Sequence, residues 1–345
     1  MIEIDGSFGE GGGQILRTAL SLSCLYLKPF RIFNIRKGRK KPGLMPQHLT
    51  GVRALQLLSN AEIKGAEIGS LELTFKPKRM RGGEFFFDVG TAGSTSLVLQ
   101  TIIPPLIFAK EKAVVTLKGG THVPFSPSYD YIANVFSGIL YRIGVKIDLN
   151  IESYGFYPKG GGKVRADIFP AKEIIPLRIT DRGRITWIKG YSGVGNLPLS
   201  IAERQRKAFV DKMQELKELK CPVDVKPMDV PSPGQGTFIY LQAESQNAIA
   251  GFSALGERGK RAEAVGEEAA AEFIEYYRTN AVFDKHLPDQ LALYLSMSEE
   301  ESVFTTSCIT QHLMTNLWVI DLFHKFRYSV DGEIGKPGTV RVIRA

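Results

Sequence analysis

The apolar positions along this chain follow two rhythms. In "GEGGGQILRTALSLS" the residues Ile15, Leu16, Ala19 and Leu20 recur at three- and four-residue spacing, which predicts a helix. In "TVRVI", near the C-terminus, β-branched and polar residues alternate, which predicts a strand. These rhythms return three times in the same order. The first pass runs "GEGGGQILRTALSLS", a basic segment, "PGLMPQHLTGVRALQLL" and "GAEIGSLELTFKP". The second runs "GTAGSTSLVLQTIIPPL", "AVVTLKGG", "VPFSPSYDYIANVFSGIL" and "KIDLNIESYGFYPKGGGKVRADIFP". The third runs "HLPDQLALYLSMS", "SVFTTS", "CITQHLMTNLWVIDLF" and "FRYSVDGEIGKPGTVRVIRA".

Each pass reads as loop, helix, strand, helix and a closing pair of strands. From Gly13 to Gly93 the offset is 80 residues, longer than a solenoid repeat. The expected class is therefore α/β (α+β), with three βαβα-type units packed about a pseudo-axis. The stretch 181–278 breaks the pattern. It holds a charged helical segment, a Pro/Gly-rich link, a strand "FIYLQAES" and a helix "RAEAVGEEAAAEFIEYYRTN". It predicts a small α/β domain inserted between the second and third units, leaving 1–180 and 279–345 as the repeat-built body.

The repeat aligns "PQHLTGVRALQLL" with "TQHLMTNLWVIDLF", so His48 and His312 stand at the start of equivalent helices. A helix start exposes free N–H groups and suits an anion. The second unit has no histidine there.

At 345 residues, 43% hydrophobic and 23% charged, the chain has the balance of a folded globular protein. "MIEIDGSFGEGGGQ" has no secretory pattern, and the longest apolar run, "SLVLQTIIPPLIFA", is too short to span a bilayer. A cytoplasmic protein without membrane contact is expected. Cys24, Cys221 and Cys308 form no CxxC, so neither a zinc site nor a disulfide framework is indicated. Cys308 reads as a small buried residue rather than a reactive thiol.

The charge is unevenly placed. Residues 181–278 hold 14 Lys+Arg against 14 Asp+Glu, so the whole net charge of +8 lies on the remainder. Two clusters stand out, "RKGRKK" (Arg36 to Lys41) and "KPKRMR" (Lys76 to Arg81). They suit a polyanion or a solvated basic face about equally.

"GEGGGQ" precedes a helix, and glycines let backbone approach phosphates closely, although a tight turn explains the run as well. No GxxxxGK[ST] is present, which excludes a Walker loop. Glu10 inside such a loop could hold Mg²⁺ through its carboxylate. Arg17 reads either as a forked phosphate donor or as a surface arginine. "RKGRKKPGLMPQHL" joins five cations to Gln47 and His48. In "HLPDQ", Asp289 reads as an N-cap or as part of a nucleotide site with His286 and Gln290.

Taken together, "DGSFGEGGGQILRTALSLS", "GRKKPGLMPQHLTGVRA", "GTAGSTSLVLQTIIP", "GFYPKGGGKV", "HLPDQL" and "SCITQHLMTN" resemble the RNA 3′-terminal phosphate cyclase family. The resemblance runs from near Ile4 to the C-terminal strands and is looser in the insert. It implies three repeats like those of enolpyruvyl transferases with a thioredoxin-like insert. It implies ATP-dependent conversion of an RNA 3′-phosphate to a 2′,3′-cyclic phosphate. The family's nucleophile maps onto His312. Glu10 maps near the triphosphate and a Mg²⁺ or Mn²⁺ ion. Arg17, Arg36, Arg39, Gln47, His48 and Gln100 map around phosphates, and Pro127, Tyr131, His286, Asp289 and Gln290 map to the adenylate pocket. Tyr154 departs from the family's usual Arg or His, and His286 stands where a stacking Tyr-like ring is expected. Two other readings are a non-catalytic cyclase-like protein of ribosome biogenesis, which would lack the nucleophile, and an enolpyruvyl transferase by analogy of fold. His312, Glu10 and Arg17 weigh toward the catalytic cyclase.

Overall fold

A computed structural model describes residues 1–344. The first unit contains β1 (Ile2–Asp5), α1 (Gly13–Tyr26), β2 (Phe30–Phe33), α2 (Pro46–Ser59), β3 (Glu62–Lys64) and β4 (Leu73–Lys76). The second contains β5 (Gly83–Asp88), α3 (Thr95–Leu106), β6 (Ala113–Gly119), a π-helical turn at Tyr131–Phe136 leading into α4 (Ser137–Arg142), β7 (Ile147–Ser153) and β8 (Gly162–Ile168). The third opens with β9 (Arg178–Ile179). After a long excursion it resumes with α7 (Leu287–Leu295), β14 (Ser302–Thr306), α8 (Gln311–Phe323), β15 (Phe326–Asp331) and β16 (Gly338–Arg344). The excursion supplies β10 (Ile185–Gly195), α5 (Leu199–Met213), β11 (Val223–Asp229), β12 (Gly236–Ser245), β13 (Ile249–Leu255) and α6 (Ala262–Thr279).

The three unit sheets share one order: β1-β2-β4-β3, β5-β6-β8-β7 and β9-β14-β16-β15. In each, the first two strands are parallel and the rest antiparallel. Two expectations need correction. Each unit starts one strand earlier than its amphipathic pattern suggests, because β1, β5 and β9 are short or lack alternation. The insert also interrupts the third unit after β9 rather than lying between units, since Val303 and Phe304 of β14 pair with Arg178 and Ile179.

The first helices α1, α3 and α7 gather at the centre. The second helix of one unit packs on the first helix of the next, α2 on α3 and α8 on α1. Phe136, at the end of the π-helical turn, meets Tyr294 of α7 edge-on at 6.0 Å. This central position explains α3. Its run "TSLVLQTIIPPL" is buried on nearly every side, as a predominantly apolar helix inside a core must be.

The excursion has the sheet order β11-β10-β12-β13, with β10 parallel to β11 and antiparallel to β12. With α5 and α6 this is a thioredoxin-like arrangement. Phe209, Phe252 and Phe273 belong to its own apolar core. Phe238 on β12 points the other way. It packs at 4.2 Å between ring centroids on His122 and at 5.7 Å on Tyr154. Phe156 joins this cluster, and a Cβ on Gly236 would lie 2.0 Å from its ring. The His122 Nε2 sits 2.8 Å from Asp130 and its Nδ1 2.9 Å from Thr121 Oγ1, so the imidazole is satisfied on both sides. Tyr154 is therefore a packing residue between body and insert, which accounts for an aromatic ring at that position.

Phe238 is fully buried, so Phe238→Ala leaves a cavity at this junction. A loss of about 3–5 kcal/mol in denaturant unfolding is expected. A loss below about 1 kcal/mol would show that the two parts do not depend on each other for stability.

Candidate active site

The loop between β1 and α1 is tied down before it reaches Glu10. Asp5 Oδ1 accepts from the Ser7 N–H at 2.9 Å and the Ser7 hydroxyl at 2.7 Å, which holds its carboxyl below its ordinary range. Phe8 stacks on Trp318 of α8 at 4.0 Å. Gly9 has φ +57°, and a Cβ there would meet Thr315 Oγ1 at 2.5 Å, so only glycine lets the loop run so close to α8.

This places Glu10 Oε2 2.7 Å from His312 Nδ1 and 3.8 Å from the Arg39 guanidinium. Arg39 also donates to the Glu10 carbonyl at 3.0 Å. His312 is the second residue of α8, whose N-cap Thr310 accepts from the Leu313 N–H at 3.1 Å. Its side chain is 47% exposed. Desolvation pulls its pKa below 6.5 despite Glu10, with Arg17, His286 and Arg39 adding to the downward pull. The lowered pKa favours the neutral imidazole at pH 7, and the carboxylate beside Nδ1 favours the tautomer that carries its proton there. That leaves the Nε2 lone pair free.

His48 is the counterpart in the first unit, and its ring is set the other way round. Its Nδ1 accepts from the Met45 N–H at 3.1 Å, so the neutral ring carries its proton on Nε2. Burial, then Arg17 and Arg36, push its pKa down to about 3. Its Nε2 faces the glycine-rich loop; a Cβ on Gly13 would come within 2.2 Å of it. Of the two symmetry-related histidines, one presents a lone pair and the other an N–H.

Gln14, missed in the sequence, links the parts. Its Nε2 donates to the His312 carbonyl at 3.0 Å and to Asp289 Oδ2 at 3.3 Å. Asn316 donates to the Asp289 carbonyl at 2.6 Å and accepts from the Thr18 hydroxyl at 2.6 Å, locking α1, α7 and α8 together. The cap of α7 is not Asp289 but Asp284, whose Oδ1 accepts from the His286 and Leu287 N–H groups. Asp289 is thereby left to face Arg17. Desolvation raises its pKa to about 7 against the opposing pull of Arg17, while Arg17 itself is pushed down to about 10 by burial.

Arg17, Gln100, Asp289 and Gln290 line one cavity together with Gln14 and Tyr294. Among the described residues, Gln14 Oε1, Gln100 Nε2, Gln290 Oε1 and the Tyr294 hydroxyl are buried there without a hydrogen-bond partner. Four buried polar atoms around one cavity are groups that a bound ligand or ordered water would satisfy. Of the remaining predicted residues, Gln47 accepts from the Ser94 N–H at 3.0 Å at the start of α2. Arg36 turns one arm inward to the carbonyls of Lys41 and Gly43. Tyr131 is buried and donates to Asp284, so it meets the start of α7 through that carboxylate. Pro127 is half-buried in the loop before Tyr131, and His286 is exposed. Cys308 is half-buried with its thiol toward the Ile309 carbonyl.

No group of three or more His, Cys, Asp or Glu among the described residues is arranged to hold a metal. Glu10 still fits a cation ligated mainly by phosphate oxygens. Its contacts with His312 and Arg39 both use Oε2, leaving Oε1 for a hard ion. No helix among the described residues is long and apolar enough to cross a membrane.

This fold and site bring a carboxylate, a buried arginine and a histidine of lowered pKa together beside a polar cavity. The model of the RNA 3′-terminal phosphate cyclase family matches residues 8–330. A protein named RNA 3′-terminal phosphate cyclase from Pyrococcus abyssi (strain GE5 / Orsay) is 46% identical over 344 residues, covering 100% of this chain and 99% of that protein. One from Sulfolobus acidocaldarius is 48% identical over 336 residues, covering 96% and 97%. The chain belongs to the RNA 3′-terminal phosphate cyclase family, a family of ligase-type enzymes. Among solved structures, the enolpyruvyl transferase NikO from Streptomyces tendae gives a TM-score of 0.30 at 11% identity, over 99% of this chain and 65% of that one. A likeness at that score carries no weight.

Asp289 gives this site a measurable pH signature. Its folded pKa of about 7 lies above the ordinary 3.8, so the folded state holds an extra proton between those values. The stability this confers is full below pH 3.8 and lost as pH rises through 7. Discounted for partial exposure, Asp289→Asn is expected to remove about 1–2 kcal/mol of the stability loss between pH 5 and 8 in the ligand-free protein. Urea unfolding at the two pH values checks it; an unchanged difference would mean that Asp289 is ionised throughout.

Proposed function

We propose that this chain converts an RNA 3′-terminal phosphate to a 2′,3′-cyclic phosphate using ATP, through a covalent AMP adduct on His312 Nε2. The observation that carries this reading is the 2.7 Å contact between His312 Nδ1 and Glu10, on a histidine kept neutral and half-exposed beside the polar cavity. The cavity residues Arg17, Gln100, Asp289 and Gln290 are the proposed nucleotide site, with Pro127, Tyr131 and His286 at its edge. Arg36, Arg39, Gln47 and His48 are the proposed RNA phosphate site.

In the first step the His312 Nε2 lone pair attacks the α-phosphorus of ATP. A P–N bond forms and the bond to the β-phosphate oxygen breaks, releasing pyrophosphate. The imidazole becomes cationic, and Glu10, already at Nδ1–H, stabilises that charge without moving. A divalent ion on Glu10 would offset charge on the triphosphate. In the second step an oxygen of the RNA 3′-phosphate attacks the AMP phosphorus. The P–N bond breaks and neutral His312 is restored. The 3′-phosphate is now a mixed anhydride with AMP as leaving group. The adjacent 2′-hydroxyl attacks its phosphorus, loses its proton and expels AMP, at the high effective concentration of a neighbouring group. The same requirement for a 2′-hydroxyl makes RNA the cyclised product.

The proposed insert, 181–278, is electroneutral, so phosphate binding is assigned to the repeat-built body. The second reading, a non-catalytic relative, requires a chain without the nucleophile and is disfavoured by the position of His312.

His312→Ala should abolish covalent capture of label from α-³²P ATP with the fold intact, whereas His48→Ala should slow the reaction and still form adduct. An acid-labile, alkali-stable adduct on His312→Ala would displace this nucleophile. In the wild type, the loss of adduct-forming rate that comes from protonating His312 should set in below pH 6.5, because His312 must be neutral and its pKa is lowered. Glu10→Gln removes the carboxylate that stabilises imidazolium, and an adenylylation rate reduced about tenfold or more is expected. A rate equal to wild type would remove Glu10 from the step.

A further inference from the structure

The two basic clusters lie at opposite ends of one helix, and that helix and the loop before it carry no acidic residue; on the neighbouring β5, Glu84 and Asp88 are exposed, Asp88 being paired with Lys118. The loop Arg36 to Lys41 leads into the N-terminal end of α2, beside the site, where Arg39 touches Glu10. At the far end the backbone N–H groups of Lys78 and Arg79 bond the Ser59 carbonyl, and that of Arg81 bonds the Leu58 carbonyl. "KPKRMR" is thus fastened to the C-terminal end of α2. At 14 residues, α2 separates the clusters by about 20 Å. β5 runs back alongside it, from Gly83, just past Arg81, toward the Ser94 N–H held by Gln47.

From Arg36 to Ala61 the sequence holds no aspartate or glutamate. On the exposed side of α2, Arg53 sits midway, followed one turn later by Leu57, 46% exposed. Arg53, Arg79 and Arg81 are exposed and make no ion pair among the described residues; Lys78 pairs with Glu62 at 3.0 Å. Arg81 lies over the Phe85 ring at 5.8 Å, which braces it at the end of the row. Elsewhere on this surface lysines and arginines commonly face a carboxylate, as Arg31 does Glu3 and Glu72, or Arg204 does Glu263. A row of uncompensated cations leading away from a phosphate-handling site, with an apolar side chain between them, is the pattern of a single-strand nucleic-acid track.

We infer that the RNA upstream of the reacting 3′ end runs along α2, with its phosphates held by Arg53 and then by Arg79 and Arg81. This rests on RNA being the substrate and adds where the body of that RNA lies. The track reads backbone charge and not base sequence, because it offers guanidinium groups on an open face with one aliphatic contact. It makes affinity depend on length, since a strand too short to pass Arg53 gains nothing from the far cluster.

The test uses the full chain, 3′-phosphorylated RNAs of two and twelve nucleotides, and the variants Arg53→Glu, Arg79→Glu and their double. Binding by fluorescence anisotropy and cyclisation kinetics are both read, with thermal melting as the check of folding. The wild type should bind the twelve-mer at least tenfold more tightly than the dimer. The double variant should lose most of that difference, raising KM for the twelve-mer about tenfold with kcat unchanged and leaving the dimer untouched. The slope of log K against log salt for the twelve-mer should fall by about 0.7 for each phosphate no longer neutralised. Equal affinity for both lengths in the wild type, or a double variant that binds the twelve-mer as the wild type does, overturns the track. Self-adenylylation with ATP alone is measured in parallel. Its absence would strike the proposed reaction, while the length dependence of anisotropy would still decide the track.

Discussion

The 2.7 Å contact between the Glu10 carboxylate and His312 Nδ1 is the interaction to which the rest of this structure is subordinate. It joins the first unit to the third, and it decides which imidazole nitrogen is basic. A loop glycine at positive φ, a Phe8–Trp318 stack and an Asp5 turn all serve to bring one carboxylate to one ring nitrogen. The pseudo-threefold arrangement of helices makes that meeting possible. With α1 packed on α8, a residue just before α1 faces a residue at the start of α8 although some 300 positions separate them in the chain.

The repeat also shows how one fold gives two equivalent residues different chemistry. His48 and His312 begin equivalent helices. In the first unit the residue before α2 is Met45, which has no side-chain oxygen for the turn, and the His48 ring takes the capping role by accepting the Met45 N–H. In the third unit Thr310 caps α8 with its own hydroxyl, and the His312 ring is released for Glu10. The two helices begin one residue apart in the aligned repeat and are capped differently, which separates a buried N–H donor from a half-exposed imidazole.

Much of this was legible in the sequence. Helix periodicity pointed to three repeated units, the first two 80 residues apart, and the neutral, Pro/Gly-linked stretch pointed to an insert. Glu10, Arg17 and His312 were singled out in the sequence; in the fold Glu10 lies 2.7 Å from His312, and the charge of Arg17 acts on the His312 ring. The strands β1, β5 and β9 were not legible: four, six and two residues carry too little alternation, and β9 is cut from its unit by the insert. Gln14 and Asn316 were missed because an amide's value lies in partners on other helices. Asp284 was missed for the same reason, and its capping of α7 is what frees Asp289. Tyr154, a departure from the family pattern, is explained by packing against Phe238 across the join with the insert.

The central claim is that Glu10 fixes the His312 proton on Nδ1 and leaves Nε2 as the nucleophile. Nitrogen-15 correlation spectra of imidazole-labelled protein, assigned with His312→Ala, report the tautomer directly. At pH 7.5 without nucleotide, His312 should show a protonated Nδ1 and an unprotonated Nε2, and His48 the reverse. In Glu10→Gln the His312 preference should weaken. A wild-type His312 with its proton on Nε2 would contradict the account, because that nitrogen would then have no lone pair to offer phosphorus.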